Sequence, residues 1–243
     1  MTNNRLPISE IWVYLSGNPL FALVLTLAAY QFAFMLYVKS NRHPIVNPVG
    51  VTVLIVTVGI TLIDMPYKQY FEGAQFIHFL LGTATVALAV PIYRGCNDLK
   101  GKLLPITLAL TIGSIVSVAS AVLIATYMGA GDNIVGSMYA KSVTAPIAMG
   151  IAERIHVSPT LTAVFAVATG MIGSILAPYI MNAIRLKPWW MRGTAIGVGA
   201  HGLGITRAFS INDEAGMYAS MAMGMNGVLS AVLLPTILNF MRS

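Results

Sequence analysis

Charge is what this chain has least of. Of 243 residues only eight are acidic and fourteen basic, and charged residues make up 9% against 57% hydrophobic, far below the roughly 25% charge of a soluble domain. With a mean hydropathy of +0.78, that scarcity excludes a soluble protein and makes the chain an integral membrane protein. Cysteine is nearly absent too. The single Cys96 rules out an internal disulfide, and its neighbours Arg94, Lys100 and Lys102 suggest a cytoplasmic loop. Paired intramembrane carboxylates, a nucleophile elbow and an HExxH motif are all missing, so no catalytic residue and no cofactor is predicted. No second His or Cys stands at metal-ligand spacing from His201, and no metal site is predicted. A net charge of +6 does not point to nucleic acid, because the basic residues sit in short connections and termini. A basic leader followed by a compact apolar core is also missing from the first ten residues, so the chain is expected to insert uncleaved.

What is present is apolar and long. Windows 18–38, 45–63, 74–93, 103–128, 160–184 and 216–241 are each long enough to cross a hydrocarbon core of about 30 Å. They are apolar on all sides rather than alternating, which predicts an all-α polytopic membrane protein, not a β-barrel. No stretch is polar enough for a soluble domain. Residues 1–243 are therefore expected to form one membrane domain of about six to eight membrane segments.

The positive-inside rule puts the basic connections 39–42, 94–102 and 185–192 in the cytoplasm. By the same logic the acidic connections around Asp132 and around Asp213 and Glu214 are expected outside, although acidic residues carry little weight in that rule. Simple crossings then make 103–128 run outward and 160–184 run inward. Both hold only if the segment between them, 137–155, makes no net crossing. The two opposed spans share a fragment, Ile112-Gly113-Ser114-Ile115 and Ile172-Gly173-Ser174-Ile175. An inverted-topology repeat and shared membrane composition both account for it. A sixty-residue offset would make the Thr83, Thr85 and Pro91 region the counterpart of 137–155.

Two segments break the rules of a membrane helix. The first runs from Ser142 through Thr144 to Pro146, with Lys141 before it and Glu153-Arg154 after it. Pro146 removes a backbone donor, and a kinked ordinary helix is the competing reading. The second holds Gly193, Gly197, Gly199, His201, Gly202, Gly204 and Arg207. Its GxGxxG match is not a dinucleotide motif, since no strand of a soluble βαβ unit precedes it. Gly193 and Gly197 stand at helix-packing spacing, whereas Gly199, Gly202 and Gly204 are too dense for an ordinary helix and fit an unwound stretch. Polar, non-helical backbone at membrane depth survives only where protein buries it or a watery cavity meets it. The predicted site is therefore Thr83, Thr85, Ser142, Thr144, His201, Gly202, Arg207 and Asn226, with breaks at Pro91, Pro146, Gly199 and Gly204. For His201, Arg207 and Asn226 the structural alternatives are a buried histidine, an interfacial or ion-paired arginine, and interhelical packing.

These motifs, with the Ser220 to Gly227 run of the last span, resemble those of the LrgB/CidB family of membrane proteins. That group includes YohK-like bacterial inner-membrane proteins and the C-terminal half of the plastidic glycolate/glycerate translocator. The resemblance covers nearly the whole chain. It implies a bacterial inner-membrane location, a small LrgA/CidA-type membrane partner, and one of two functions. One is secondary transport of small carboxylates such as glycolate, glycerate or pyruvate. The other is antiholin-like regulation of murein hydrolases and autolysis. A homo-oligomer in the lipid bilayer is compatible with both. A carrier needs a buried polar site in broken backbone, so the sequence favours transport of a small organic anion.

Overall fold

The computed structural model describes residues 19–43, 45–87, 90, 93 and 101–242. Among them there are helices and no strands. Four helices are long and apolar enough to cross a membrane, Leu20–Lys39, Leu103–Tyr127, Pro159–Ala183 and Asp213–Leu238, and Pro48–Leu62 is a shorter apolar helix. The protein is an all-α membrane protein.

The chain divides into two compact units, residues 1–84 and 85–243. In the first, α1 (Pro19–Lys39) turns back through Asn41 and Arg42, both at positive φ, into α2 (Pro48–Leu62). Asn47 caps α2 by accepting from the Val49 and Gly50 amides at 2.9 and 3.2 Å, and Pro48 takes the first helical position, where no amide is needed. Helix α3 (Tyr67–Ala87) follows Asp64, at φ 50°, and Pro66. It begins earlier than the apolar window 74–93 suggested, because hydropathy registers apolar residues whereas Pro66 and the Asp64 turn fix where the helix starts. The Thr26 and Tyr70 hydroxyls, 2.8 Å apart, tie α3 to α1.

The second unit is built on α4 (Leu103–Tyr127), α7 (Pro159–Ala183) and α10 (Asp213–Arg242). Helices α4 and α10 run in the same direction: Lys102 meets Tyr218, and twelve residues on from Lys102, Ser114 meets Asn226. Between α4 and α7 lie α5 (Asp132–Ser137) and α6 (Ala145–Arg154). Gly136 abuts Val157 near the start of α7. The Ser142 carbonyl reaches Asn226 halfway along α10. Then Ile147 faces Gly227, and Ile151 and Ile155 pack with Leu234 and Leu238. The segment thus enters to mid-depth and returns to the end it came from, as a re-entrant hairpin.

Between α7 and α10 lie α8 (Trp189–Gly199) and α9 (His201–Ile211). Helix α8 runs along α10: Gly193 and Gly197 press directly on the Ala215 and Ala219 carbonyls. A side chain at either glycine would collide with backbone, the close approach that Gly-x-x-x-Gly spacing allows. Helix α9 then folds back. A Cβ on Gly204 would stand 2.6 Å from Ala200 and Ile196, and Phe209 reaches Gly216 at the start of α10. This is a second re-entrant hairpin, entering from the opposite end. Helices α4 and α7 accordingly run in opposite directions, each followed by a hairpin.

Two expectations are corrected here. The connection at Asp213 and Glu214 lies at the same end as Lys102, not at the opposite end, because α9 returns there. Nor is the glycine-rich stretch unwound throughout. Gly199 ends α8, Gly202 and Gly204 lie within α9, and the break is confined to Ala200 and His201. Gly204 matters there as a packing surface, not as a flexible link.

Candidate functional site

Both hairpin tips lie at the middle of the C-terminal unit, and His201 of the second is within electrostatic range of Lys141 of the first. Thr144 has extended backbone at φ −63°, ψ 147° and leads into α6, with Pro146 in its first turn, where a lost amide costs little. His201 has φ 35°, a left-handed conformation rare outside glycine. Strain of this kind persists only where surrounding packing fixes it, and it gathers at functional sites. Here Gly170 of α7 supplies the packing: a Cβ there would stand 2.5 Å from His201 Cε1.

A connected polar group holds the first tip. Lys141 Nζ donates to Ser117 Oγ at 2.9 Å and Ser142 Oγ at 3.3 Å, and those two hydroxyls are 2.7 Å apart. Asn226 Nδ2 donates to the Ser142 carbonyl at 3.0 Å while Asn226 Oδ1 accepts from Ser114 Oγ at 2.5 Å. With Asn226 only 1% exposed, both ends of its amide are used within the protein. On the other side His201 is hydrogen-bonded to the Ala166 backbone and lies within electrostatic range of Lys141. Two buried polar atoms, Thr144 Oγ1 and His201 Nε2, have no partner among the described residues.

The electrostatics follow from the composition. Among the described residues of this unit the carboxylates are Asp132, Glu153, Asp213 and Glu214, all exposed near helix ends, and none pairs with Lys141. A half-buried ammonium at mid-depth, neutralised by no acid among the described residues, attracts an anion. Helices α6 and α9 both begin at this place, so their free amides and positive dipole ends add to the field. No group of three or more His, Cys, Asp or Glu able to hold a metal occurs among the described residues.

The predicted residues are only partly gathered. Ser142, Thr144 and His201 lie at the tips. Gly202 opens α9 and is exposed, its nearest potential contact being Met223 Sδ at 3.9 Å. Arg207 is six residues along α9 from His201, about 9 Å towards the end from which the hairpin enters. Thr83 belongs to the N-terminal unit, exposed, with its Oγ1 bonded to the Leu80 carbonyl. The side chain of Thr85, and Pro91 altogether, lie outside the described residues. Within the C-terminal unit the α8–α9 turn brings His201 within electrostatic range of Lys141, next to Ser142 in the chain. Lys141, Ser114 and Ser117 were not predicted. A lysine beside a proline-broken, hydroxyl-bearing stretch was the available signal for the first.

A polytopic membrane protein with two opposed re-entrant hairpins whose tips lie near a lysine with no acidic partner among the described residues is the class that this fold and site define. The family model for the LrgB-like family matches residues 26–240. The chain belongs to the LrgB-like family. It is 31% identical over 220 residues to a Bacillus subtilis (strain 168) protein named "Uncharacterized protein YwbG", covering 90% of this chain and 97% of that one. Over 223 residues it is 27% identical to the "Antiholin-like protein LrgB" of Bacillus mycoides (strain KBAB4), covering 92% and 97%, and equally so to that of Bacillus cereus (strain B4264). No solved structure matches the chain.

Proposed function

We propose that the protein is a secondary transporter of small carboxylates, of the glycolate, glycerate or pyruvate kind, in a bacterial inner membrane. One observation carries this reading: Lys141 stands at mid-depth without an acidic partner among the described residues, beside the unpartnered Thr144 Oγ1 and His201 Nε2. A carboxylate there neutralises the ammonium and accepts from the Thr144 hydroxyl, while His201 Nε2, with the other ring nitrogen bonded to the Ala166 backbone, accepts a substrate hydroxyl or a proton carried with the anion. The helix-plus-hairpin pairs α4 with α5–α6 and α7 with α8–α9 act as the halves of an inverted repeat, so that the centre opens to either side in turn. A small LrgA/CidA-type membrane protein, or a second copy of this chain, completes the assembly.

Uptake of labelled glycolate, glycerate and pyruvate into liposomes carrying the purified protein tests the proposal, with and without the small partner. Lys141→Met is expected to lower uptake about a hundredfold, because it removes the ammonium that would pair with the carboxylate, and Lys141→Arg to keep part of it. Equal uptake by the wild type and Lys141→Met would end the reading.

The names of the relatives favour a second reading, antiholin-like regulation of murein hydrolase activity without transport. It predicts no carboxylate flux with any partner, and an autolysis phenotype indifferent to Lys141→Met.

A further inference from the structure

Two helices measure how near the hairpin tips lie to each other. On α10, Asn226 holds the Ser142 carbonyl at 3.0 Å, and a Cβ on Gly202 would stand 3.9 Å from Met223 Sδ. On α4, Ser117 bonds Lys141 and Ser142, and a Cβ on Gly113 would stand 3.5 Å from Val198. In each helix the residue touching the first hairpin and the residue touching the second are three or four positions apart, which is one turn, about 5–6 Å between Cβ atoms. Both tips therefore rest against one turn of α10 and one turn of α4.

What His201 offers at that place is fixed by its surroundings. The side chain is only 4% exposed, one ring nitrogen is bonded to the Ala166 backbone, and Nε2 has no partner among the described residues. The Ala166 amide lies inside α7 and is spent on the helix, so the group that meets the ring is the carbonyl, which only accepts. That puts the proton on Nδ1 and leaves a lone pair on Nε2. Gly170, where a Cβ would stand 2.5 Å from Cε1, lets the ring lie close against α7. The two tips thus present opposite chemistry: Lys141 Nζ and the Thr144 hydroxyl can donate, whereas His201 Nε2 can only accept. A bare carboxylate answers the first tip alone. A second proton on the ring would answer Nε2 by placing another cation near the Lys141 ammonium, with no acid among the described residues to offset it. A hydroxyl answers it without adding charge.

We infer that His201 is the specificity-determining residue of this centre, selecting small acids with a hydroxyl on the carbon beside the carboxylate over their oxo and unsubstituted counterparts. The inference rests on the anion-site reading and narrows it. The carboxylate lies at Lys141 and Thr144 and the neighbouring hydroxyl donates to Nε2, so that a two- or three-carbon acid bridges the tips. An oxo oxygen in that place turns a lone pair towards a lone pair, and an unsubstituted carbon leaves Nε2 unmet. A site whose buried polar group is paired only by the right substrate discriminates far better than one that reads shape alone.

Matched pairs test this: lactate against pyruvate and glycolate against acetate, each offered in labelled form to liposomes carrying the purified protein. Thermal stabilisation of the protein in detergent by the same four acids gives a readout that needs no flux. The wild type is expected to take up each hydroxy acid about tenfold faster than its counterpart. His201→Phe removes the acceptor and should bring both ratios towards one. His201→Gln, whose amide donates as well as accepts, should raise pyruvate uptake relative to lactate above that of the wild type, a gain that misfolding cannot produce. Wild-type uptake of pyruvate equal to or faster than that of lactate overturns the inference and leaves the transport reading standing. So do ratios unmoved in both variants. Stabilisation by the hydroxy acids that is lost in His201→Phe, without uptake of any acid, would uphold the role of His201 and sink the transport reading. Neither uptake of nor stabilisation by any of the four ends both.

Discussion

Thr144 shows how a single side chain separates binding from folding. Its hydroxyl is buried without a partner among the described residues, and an unmade hydrogen bond in a buried place costs about 1–3 kcal/mol. A residue kept only for packing would be valine, which has the same shape. Thr144→Val is therefore expected to leave the melting temperature in detergent unchanged or slightly higher, while lowering carboxylate uptake about tenfold for the lost hydrogen bond. A lower melting temperature with unchanged uptake would make the threonine structural. Thr144 and Ser142 were legible in the sequence because hydroxyls beside a proline interrupt an apolar run. Lys141 was passed over for the opposite reason: it reads as the charged boundary of that run. Only the fold shows that the boundary lies halfway along α4.

At the scale of elements, Asn226 is the joint between α10 and the first hairpin. Its amide group bridges Ser114 Oγ and the Ser142 carbonyl. Asn226→Leu leaves both unsatisfied and is expected to destabilise the protein by about 1–3 kcal/mol, read as a lower melting temperature. It should also speed hydrogen exchange at 141–144 more than at 200–204. Equal exchange at both tips would show that the bridge does not hold the first one. Substrate contact and helix packing were the two roles open to this asparagine from its sequence position, and an amide bonded within the protein at both its oxygen and its nitrogen fits packing. The first hairpin was legible because charge placement on the flanking spans forbade a net crossing. The second was not. Its return depends on Gly204 seating against Ala200 and Ile196, a tertiary approach with no periodic signature, so the dense glycines read as loose chain.

For the whole molecule, topology gives the measurement. Lys102, the 185–192 connection and the Asp213–Glu214 start of α10 share one end of the C-terminal unit, and Asp132 and Glu153 the other. With Cys96 replaced by serine, cysteines at Lys187 and Glu214 are expected to label from the same side of intact cells or oriented vesicles, and cysteines at Asp132 and Glu153 from the opposite side. Labelling of Lys187→Cys and Glu214→Cys from different sides would remove the second hairpin. The acidic pair misled the sequence reading because carboxylates barely influence orientation, whereas the basic connections assigned α4 and α7 correctly as antiparallel.

The two hairpins adhere to α10 by different means. The second lies glycine to backbone, at Gly193 and Gly197, in a contact that cannot slide by an ångström without collision. The first lies on α10 through the side chains of Ile147, Ile151 and Ile155, and its tip is fastened by a few exchangeable hydrogen bonds to Ser117 of α4 and Asn226 of α10, whose places water or a carboxylate can take. One half of the centre is consequently a fixed anvil and the other a latch. On the transport proposal, an anion arriving at Lys141 would compete with Ser117 and Ser142 for the ammonium, and so loosen that fastening.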